Sequence, residues 1–356
     1  MEQYLSKRQN ITFNKNFADD LILSIYCAAS LHETLINEII KLDSNAFIII
    51  NIKEKNFKID YIDYLENTIP LESIEGLKII DEWADKWGYI YRSLKKKTNN
   101  MSSDLSGGFD SRALISILIS SGLDLNDTLI FSSKDNFKDH PIDFKIAKNI
   151  SSKLGFELNK FRLDDNNMMY NIKDALICSL YSKLGFSKIS GFNNRFFIKP
   201  RFYFTGCGGE VIRGYPGYQI YQYIDIIASR SKNFMKYTFD LYHSLNSILN
   251  RSLELLTKNK KYSNDYQLTA DLYAKGCIRN HCSKISTYNF LFNIYTFCPL
   301  LDPELKKIKY EMNEKSQELI IYIYIRFAHE LINFPFQGHR TLDIASIKKA
   351  EKLSKK

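Results

Sequence analysis

The string Ser106-Gly107-Gly108-Phe109-Asp110-Ser111-Arg112 gathers residue types suited to holding an anion. Two adjacent glycines let the backbone turn tightly and approach a ligand without side-chain obstruction. The apolar run that follows, Ala113 to Leu118, reads as a helix. Its first N–H groups and positive dipole end would point at whatever sits in the cup, and phosphate fits that description. Ser106 and Ser111 add hydroxyl donors. Asp110 would repel bare phosphate, so its presence implies Mg²⁺, which takes carboxylate oxygen beside phosphate oxygen. A turn with an N-cap aspartate explains Asp110 and one glycine but not the whole string. The Gly-Lys-Ser/Thr ending of ordinary P-loops is missing.

Two further stretches share the character of the first. "YFTGCGGEVIRGYPGY", residues 203–218, is a second glycine-rich turn after a strand-like segment. "CPLLDPEL", residues 298–305, brings Pro299, Leu301 and Asp302 together within the part read as helical.

Taken together, these stretches resemble the synthetase domain of the asparagine synthetases, within the N-type (PP-loop) ATP pyrophosphatases. "SGGFDS" is similar to that superfamily's pyrophosphate-binding loop. Thr205, Gly206, Gly208, Glu210, Gly214 and Tyr215 match the family's second segment in order, with one residue fewer and with Cys207 in place of an acidic residue. Glu210 is the one carboxylate left where the family has an Asp-Glu pair. In the third segment Phe297 stands where the family has arginine, and Tyr295 where a glutamate commonly precedes it. The likeness covers roughly residues 75–341.

The resemblance implies a parallel-sheet α/β domain of the adenine nucleotide alpha hydrolase type with a largely helical C-terminal part. It implies ATP and Mg²⁺ as cofactors and an AMP-forming carbon–nitrogen ligase: a carboxylate is adenylated, pyrophosphate leaves, and ammonia or an amine attacks. Ser106, Gly107, Gly108 and Ser111 would cradle phosphates, Asp110 and Glu210 would hold Mg²⁺, and Ser132, Thr205 and Gly206 would lie near the nucleoside. Glu210 could instead orient the acceptor. His339 and Arg340 are candidates to stabilise charge as pyrophosphate leaves. Arg112 replaces a serine usual in the family, so it either contacts a phosphate or acceptor carboxylate or pairs with a nearby acid for structural reasons. The acceptor could be aspartate, a uronic acid of a glycan, or a peptide carboxylate. The family's glutaminase domain is absent: residue 2 is Glu2, and residues 1–72 are an appendage that resembles at most the end of such a domain. The amine is then free or comes from a separate glutaminase polypeptide. The alternatives are a tRNA-modifying pyrophosphatase and a catalytically silent nucleotide-binding partner.

The elements that must position these loops follow from periodicity. Residues 18–42 read as a helix and 46–65 as a hairpin. From Ser73 a helix with Leu77, Ile80, Trp83 and Trp87 at helical spacing feeds the first loop through a short strand, "NNMSSDL". Strands are expected at 127–133, 156–163 and 201–206, with helices at 141–155 and 168–185 between them, an alternation that builds a parallel sheet. Residues 73–225 make this ATP pyrophosphatase domain; 226–356 are mostly helical, including "EKSQELIIYIYIRFAHEL".

Composition limits the class. The 356 residues are 45% hydrophobic and 25% charged, as expected of a soluble globular chain. No apolar run reaches the roughly 20 residues of a membrane span, and the chain reads as cytoplasmic. Six scattered cysteines suit reduced thiols, and "CIRNHC" (277–282) lacks a second ligand pair for zinc. The net charge of +9 is spread among acidic residues, so nucleic acid is not the expected partner.

Overall fold

The computed structural model describes residues 11–18, 30–43, 46–61, 68–132, 141–159, 200–213, 219–220, 222, 239–258, 261–262, 264–279, 282, 286, 289–290, 293–309, 317–337 and 341–355. In chain order the strands and α-helices are β1 (Ala46–Asn51), β2 (Asn56–Tyr61), β3 (Ile69–Pro70), α1 (Ile74–Lys95), β4 (Met101–Asp104), α2 (Phe109–Ser120), β5 (Leu129–Phe131) and α3 (Pro141–Leu154). They continue with β6 (Arg201–Phe204), α4 (Gly209–Ile212), α5 (Phe239–Lys258), α6 (Asp265–Tyr273), β7 (Ile294–Phe297), α7 (Pro303–Lys306), β8 (Ile308–Lys309), α8 (Glu318–Phe327) and α9 (Ile344–Leu353).

The chain divides into two units. One comprises Met1–Tyr64, Gly214–His281 and Met312–Glu314; the other Leu65–Arg213, Cys282–Glu311 and Lys315–Lys356. The second is a mixed α/β unit around a four-stranded sheet in the order β5-β4-β6-β7, parallel throughout. β4 is the short strand expected before the first loop. It lies between β5 and β6, with Ser102 paired to Leu129 on one side and to Tyr203 on the other. After β4 the chain moves to one neighbour, β5, and later returns to the other side as β6. That reversal of direction falls between β4 and β6, and it is at the carboxyl ends of such strands that open α/β sheets bind ligands.

Helix α1 starts on Ser73, whose hydroxyl accepts from the Gly76 N–H, and it carries Glu75 in its first turn and Arg92 and Lys95 in its last. Each matches the helix dipole. Its buried face, including Ile80, Trp83 and Tyr91, packs on the sheet, with the Tyr91 and Phe204 rings 4.8 Å apart. Helix α2 is buried from Phe109 to Leu118 except at Asp110, and α8 from Leu319 to Ile325. These two apolar helices pack on each other inside the core. The run 319–325 is therefore helix, as its lack of turn signals implied.

The third sequence stretch fastens α1. The Asp302 carboxylate is almost wholly buried; its Oδ2 accepts from Lys86 Nζ and Trp87 Nε1, each at 2.7 Å. Its Oδ1 accepts from the Glu304 N–H, capping α7. The Pro299 carbonyl accepts from Trp83 Nε1 at 3.0 Å.

Three sequence expectations change. Residues 30–42 are not helical: the Thr34 hydroxyl donates to the carbonyls of Ile36 and Ile39, and Phe13 bridges Ile36. Side-chain bonds to nearby backbone compete there with the helix ladder. The strand expected at 156–163 is reduced, within its described part, to one bridge between Ile130 and Leu158. Asn159 turns away at φ 55°, and its amide takes both the N–H and the carbonyl of Ser132. Finally, β7 is a fourth strand in the part expected to be helical. The helix expected at 168–185 lies outside the described residues.

The other unit holds the β1–β2 hairpin, antiparallel with Ile48 opposite Ile59. Helices α5 and α6 share with Leu31 a small core of Ile248, Leu249, Leu256 and Leu272. Glu33 accepts from Arg251 at 2.8 Å. Among the described residues, no helix is long and apolar enough to cross a membrane.

Replacing Asp302 by alanine removes a cap and leaves the Trp87 indole N–H without its acceptor. We expect a loss of about 2–3 kcal/mol in unfolding free energy by urea titration, and a smaller loss for Asp302→Asn.

Candidate functional site

The loop Leu105–Gly108 leaves β4 and enters α2; the loop Thr205–Gly208 leaves β6 and enters α4. The two touch. A Cβ on Gly206 would lie 2.6 Å from the Asp110 carbonyl carbon, and one on Gly209 would lie 2.5 Å from the Asp110 carboxyl. Glycine is required at both because backbone and carboxylate occupy the space a side chain would need. The second loop is thereby pressed on the first turn of α2.

The first loop is held by its own serines. The Ser106 N–H donates to Ser111 Oγ at 2.9 Å, and the Gly108 N–H to Ser106 Oγ at 3.1 Å. The Gly107 N–H donates to Asp143 Oδ1 at 3.0 Å from the start of α3. The N-cap residue of α2 is Gly108, and no side chain caps the helix. Helix N–H groups without an intrahelical acceptor, on a helix with a positive N-terminal dipole, are the physical basis of an anion site. Ser106, Gly107, Gly108 and Ser111 thus lie together at this cup, with Thr205 and Gly206 beside them. Ser132 directly follows β5, the neighbouring strand, and is buried. His339 and Arg340 lie outside the described residues.

Besides Asp143 on the first loop, the carboxylates Asp104, Asp110 and Glu210 gather around the two loops with the Arg213 cation. Asp110 accepts from Arg213 Nε at 2.8 Å and from Nη2 at 3.0 Å, a two-pronged pair. Glu210 Oε2 is sealed from solvent without a hydrogen-bond donor; burial, and then the Asp110 charge, push its carboxyl above the usual range. Asp104 Oδ1 is likewise sealed and without a donor. Burial raises the Asp104 carboxyl to about 6, and the Asp110 charge adds to this, while the Gly206 N–H and the Thr205 hydroxyl draw it down. Burial favours loss of the Arg213 proton, but Asp110 more than compensates and holds the guanidinium above its ordinary range.

Arg112 has neither of the uses expected for it. Its side chain is entirely buried. Nη1 donates to the carbonyls of Phe334 (3.0 Å) and Leu331 (3.4 Å), and Nη2 to those of Gly107 (3.2 Å) and Pro335. The guanidinium carbon lies 3.7 Å from the centre of the Phe336 ring, which stacks at 4.3 Å on Phe109. Burial lowers its pKa to about 10. It meets main-chain carbonyls rather than an acid, and no surface remains for a substrate.

The cysteines are corrected at one pair: Cys207 in the second loop is disulfide-bonded to Cys282. Cys298 is a free thiol, whereas Cys27 and Cys178 lie outside the described residues. The partners are 75 residues apart, a separation that no spacing rule exposes.

Among the described residues, no group of three or more acidic, histidine or cysteine side chains is disposed around a metal position. Glu210 Oε2 is an acceptor without a donor that a cation could take, whereas both Asp110 oxygens already accept from Arg213. Sequence reading missed Asp104, Arg213 and Asp143. For Arg213 a signal existed, the Glu210-x-x-Arg213 spacing that places both on one short helical turn.

The fold and site define an α/β protein with two glycine-rich loops meeting where its parallel sheet reverses strand order. No protein-family model matches the chain, and no curated protein matches it significantly.

Two outcomes follow. Asp104 holds its proton more tightly in the folded chain than in the unfolded chain, so its contribution to stability is full below about pH 4 and is lost as pH rises to about 6. That separation corresponds to at most about 3 kcal/mol. Asp104→Asn should therefore gain stability over wild type as pH rises from 4 to 7, by denaturant titration at each pH; parallel curves would refute the assignment. Arg112→Met removes the guanidinium from four carbonyls, of which that of Gly107 keeps the Gln337 N–H, and should cost about 3 kcal/mol or more in the same assay.

Proposed function

We propose that the chain is an ATP-dependent amide-forming ligase of the asparagine synthetase type, built on the PP-loop form of the α/β fold. The observation that carries the reading is the uncapped N-terminus of α2, walled by two glycine-rich loops at the reversal point of the sheet. Backbone N–H groups and the hydroxyls of Ser106 and Ser111 would receive phosphate oxygens. Thr205, Gly206 and Ser132 belong to the strand ends beside that cup, where the nucleoside would lie.

Magnesium, when bound, would neutralise phosphate charge; Glu210 and Asp110 would hold it. In the reaction a carboxylate oxygen bonds to the α-phosphorus of ATP. The bond to the bridging oxygen breaks, and its electron pair leaves with pyrophosphate. An amine then attacks the acyl carbon and displaces AMP. His339 or Arg340 would stabilise charge on the departing pyrophosphate. The acceptor is a carboxylate of a small molecule, glycan or peptide, and the amine is ammonia or comes from a separate glutaminase. A silent nucleotide-binding partner is the second reading, favoured by the Arg213 cation closing on Asp110.

The test is pyrophosphate release from Mg²⁺-ATP by the purified chain with ammonium and a panel of carboxylates. Acceptor-dependent release that falls at least 100-fold in Asp110→Ala is expected. ATP binding without any release would favour the silent partner, and release of orthophosphate alone would overturn the ligase reading.

A further inference from the structure

The Asp110–Arg213 pair changes what Asp110 can do. An aspartate in the first turn of a phosphate-binding helix repels phosphate, and that repulsion is the argument for a metal ion there. Here a guanidinium already cancels the charge through both carboxylate oxygens. Moreover, Glu210 stands alone where the resemblance calls for an Asp-Glu pair, and Arg213 follows three residues later.

Arg213 keeps donors to spare. A guanidinium has five N–H groups. Two are spent on Asp110, and the others have no acceptor among the described residues. Its side chain is 12% exposed, and its guanidinium carbon lies 5.2 Å from the Phe109 ring centre, over the residue that opens α2. The cation is thus fixed at the uncapped helix end with its remaining N–H groups unspent, the arrangement that planar recognition of a phosphate needs.

We propose that Arg213 is a phosphate-binding residue for the polyphosphate of the nucleotide, and that Asp110 positions Arg213 rather than serving chiefly as a metal ligand. The inference rests on the ATP reading above. A resident cation supplies part of the charge that a second metal ligand set would otherwise bring, so the site needs less help from magnesium than its acidic residues suggest.

The experiment measures binding of inorganic pyrophosphate and of ATP to the full chain by calorimetry, in EDTA and in Mg²⁺. Wild type, Arg213→Lys, Arg213→Met and the double variant Asp110→Asn/Arg213→Met are compared, with circular dichroism as the check on folding. Wild type should bind pyrophosphate in EDTA. Arg213→Met should weaken that binding at least tenfold, with a smaller loss in Mg²⁺, and Arg213→Lys should restore part of it. The double variant removes both charges, so it reports the same loss if the single variant misfolds. Equal binding of pyrophosphate in EDTA by wild type and the arginine variants would overturn the inference, as would strict Mg²⁺ dependence of wild-type binding; either leaves the ATP reading standing. Failure of folded wild type to bind Mg²⁺-ATP or pyrophosphate would overturn both.

Discussion

A guanidinium buried away from water needs acceptors for its donors, and Arg112 spends Nη1 and Nη2 on peptide carbonyls, leaving Nε without an acceptor. Four carbonyls, one from the first glycine-rich loop and three from residues 331–335, converge on one planar cation. A hydrogen bond to a charged group is stronger than a neutral one, and the alternative is an unsolvated charge. The loop and the distant segment are therefore held in one register. The Gln337 N–H adds a bond to the Gly107 carbonyl at 3.0 Å, and the Tyr324 hydroxyl donates to the Phe109 carbonyl at 2.6 Å. Gly107 and the first turn of α2 anchor these bonds, and the Asp143 carboxylate, which accepts from the Gly107 N–H, completes the shape of the cup.

The pairing of loop with loop follows from the same anchor. Because α2 cannot shift, the second loop must fit against it, and only hydrogen at Gly206 and Gly209 allows that fit. Leu301, behind Gly208, closes the far side: a Cβ on Gly208 would run into its side chain. The third sequence stretch is thus structural here. Pro299 and Asp302 receive the α1 side chains, and Leu301 packs under the second loop.

How much of this was legible depended on whether a local rule carried it. The α1 periodicity, the Gly-Gly turn and the start of α3 at Pro141 are local, and they hold. Strand β4 was readable only from its position, since Ser102 and Ser103 carry little apolar surface; its central place comes from pairing on both sides. Strand β7 was missed because its four residues sit among helices and pair with β6, about ninety residues away. Of the site, the glycines and serines were legible because backbone geometry demands them. The use of Arg112, the Cys207–Cys282 bond and the raised carboxyl of Asp104 depend on contacts between distant segments, which no single-chain pattern encodes.

The electrostatics of the cluster have one internal logic. Asp104, Asp110 and Glu210 cannot all be ionised under partial burial beside one cation without mutual repulsion. The chain resolves this unevenly. Asp110 takes Arg213 and stays paired, while burial and the Asp110 charge raise Asp104 and Glu210 toward their protonated forms. Asp104, raised only to about 6, is nonetheless largely ionised at pH 7, and Asp143 stands on the Gly107 N–H. An incoming polyanion would then meet carboxylates as well as the Arg213 cation, and its binding would draw on the helix N–H groups and on whatever cation, resident or bound, it could engage.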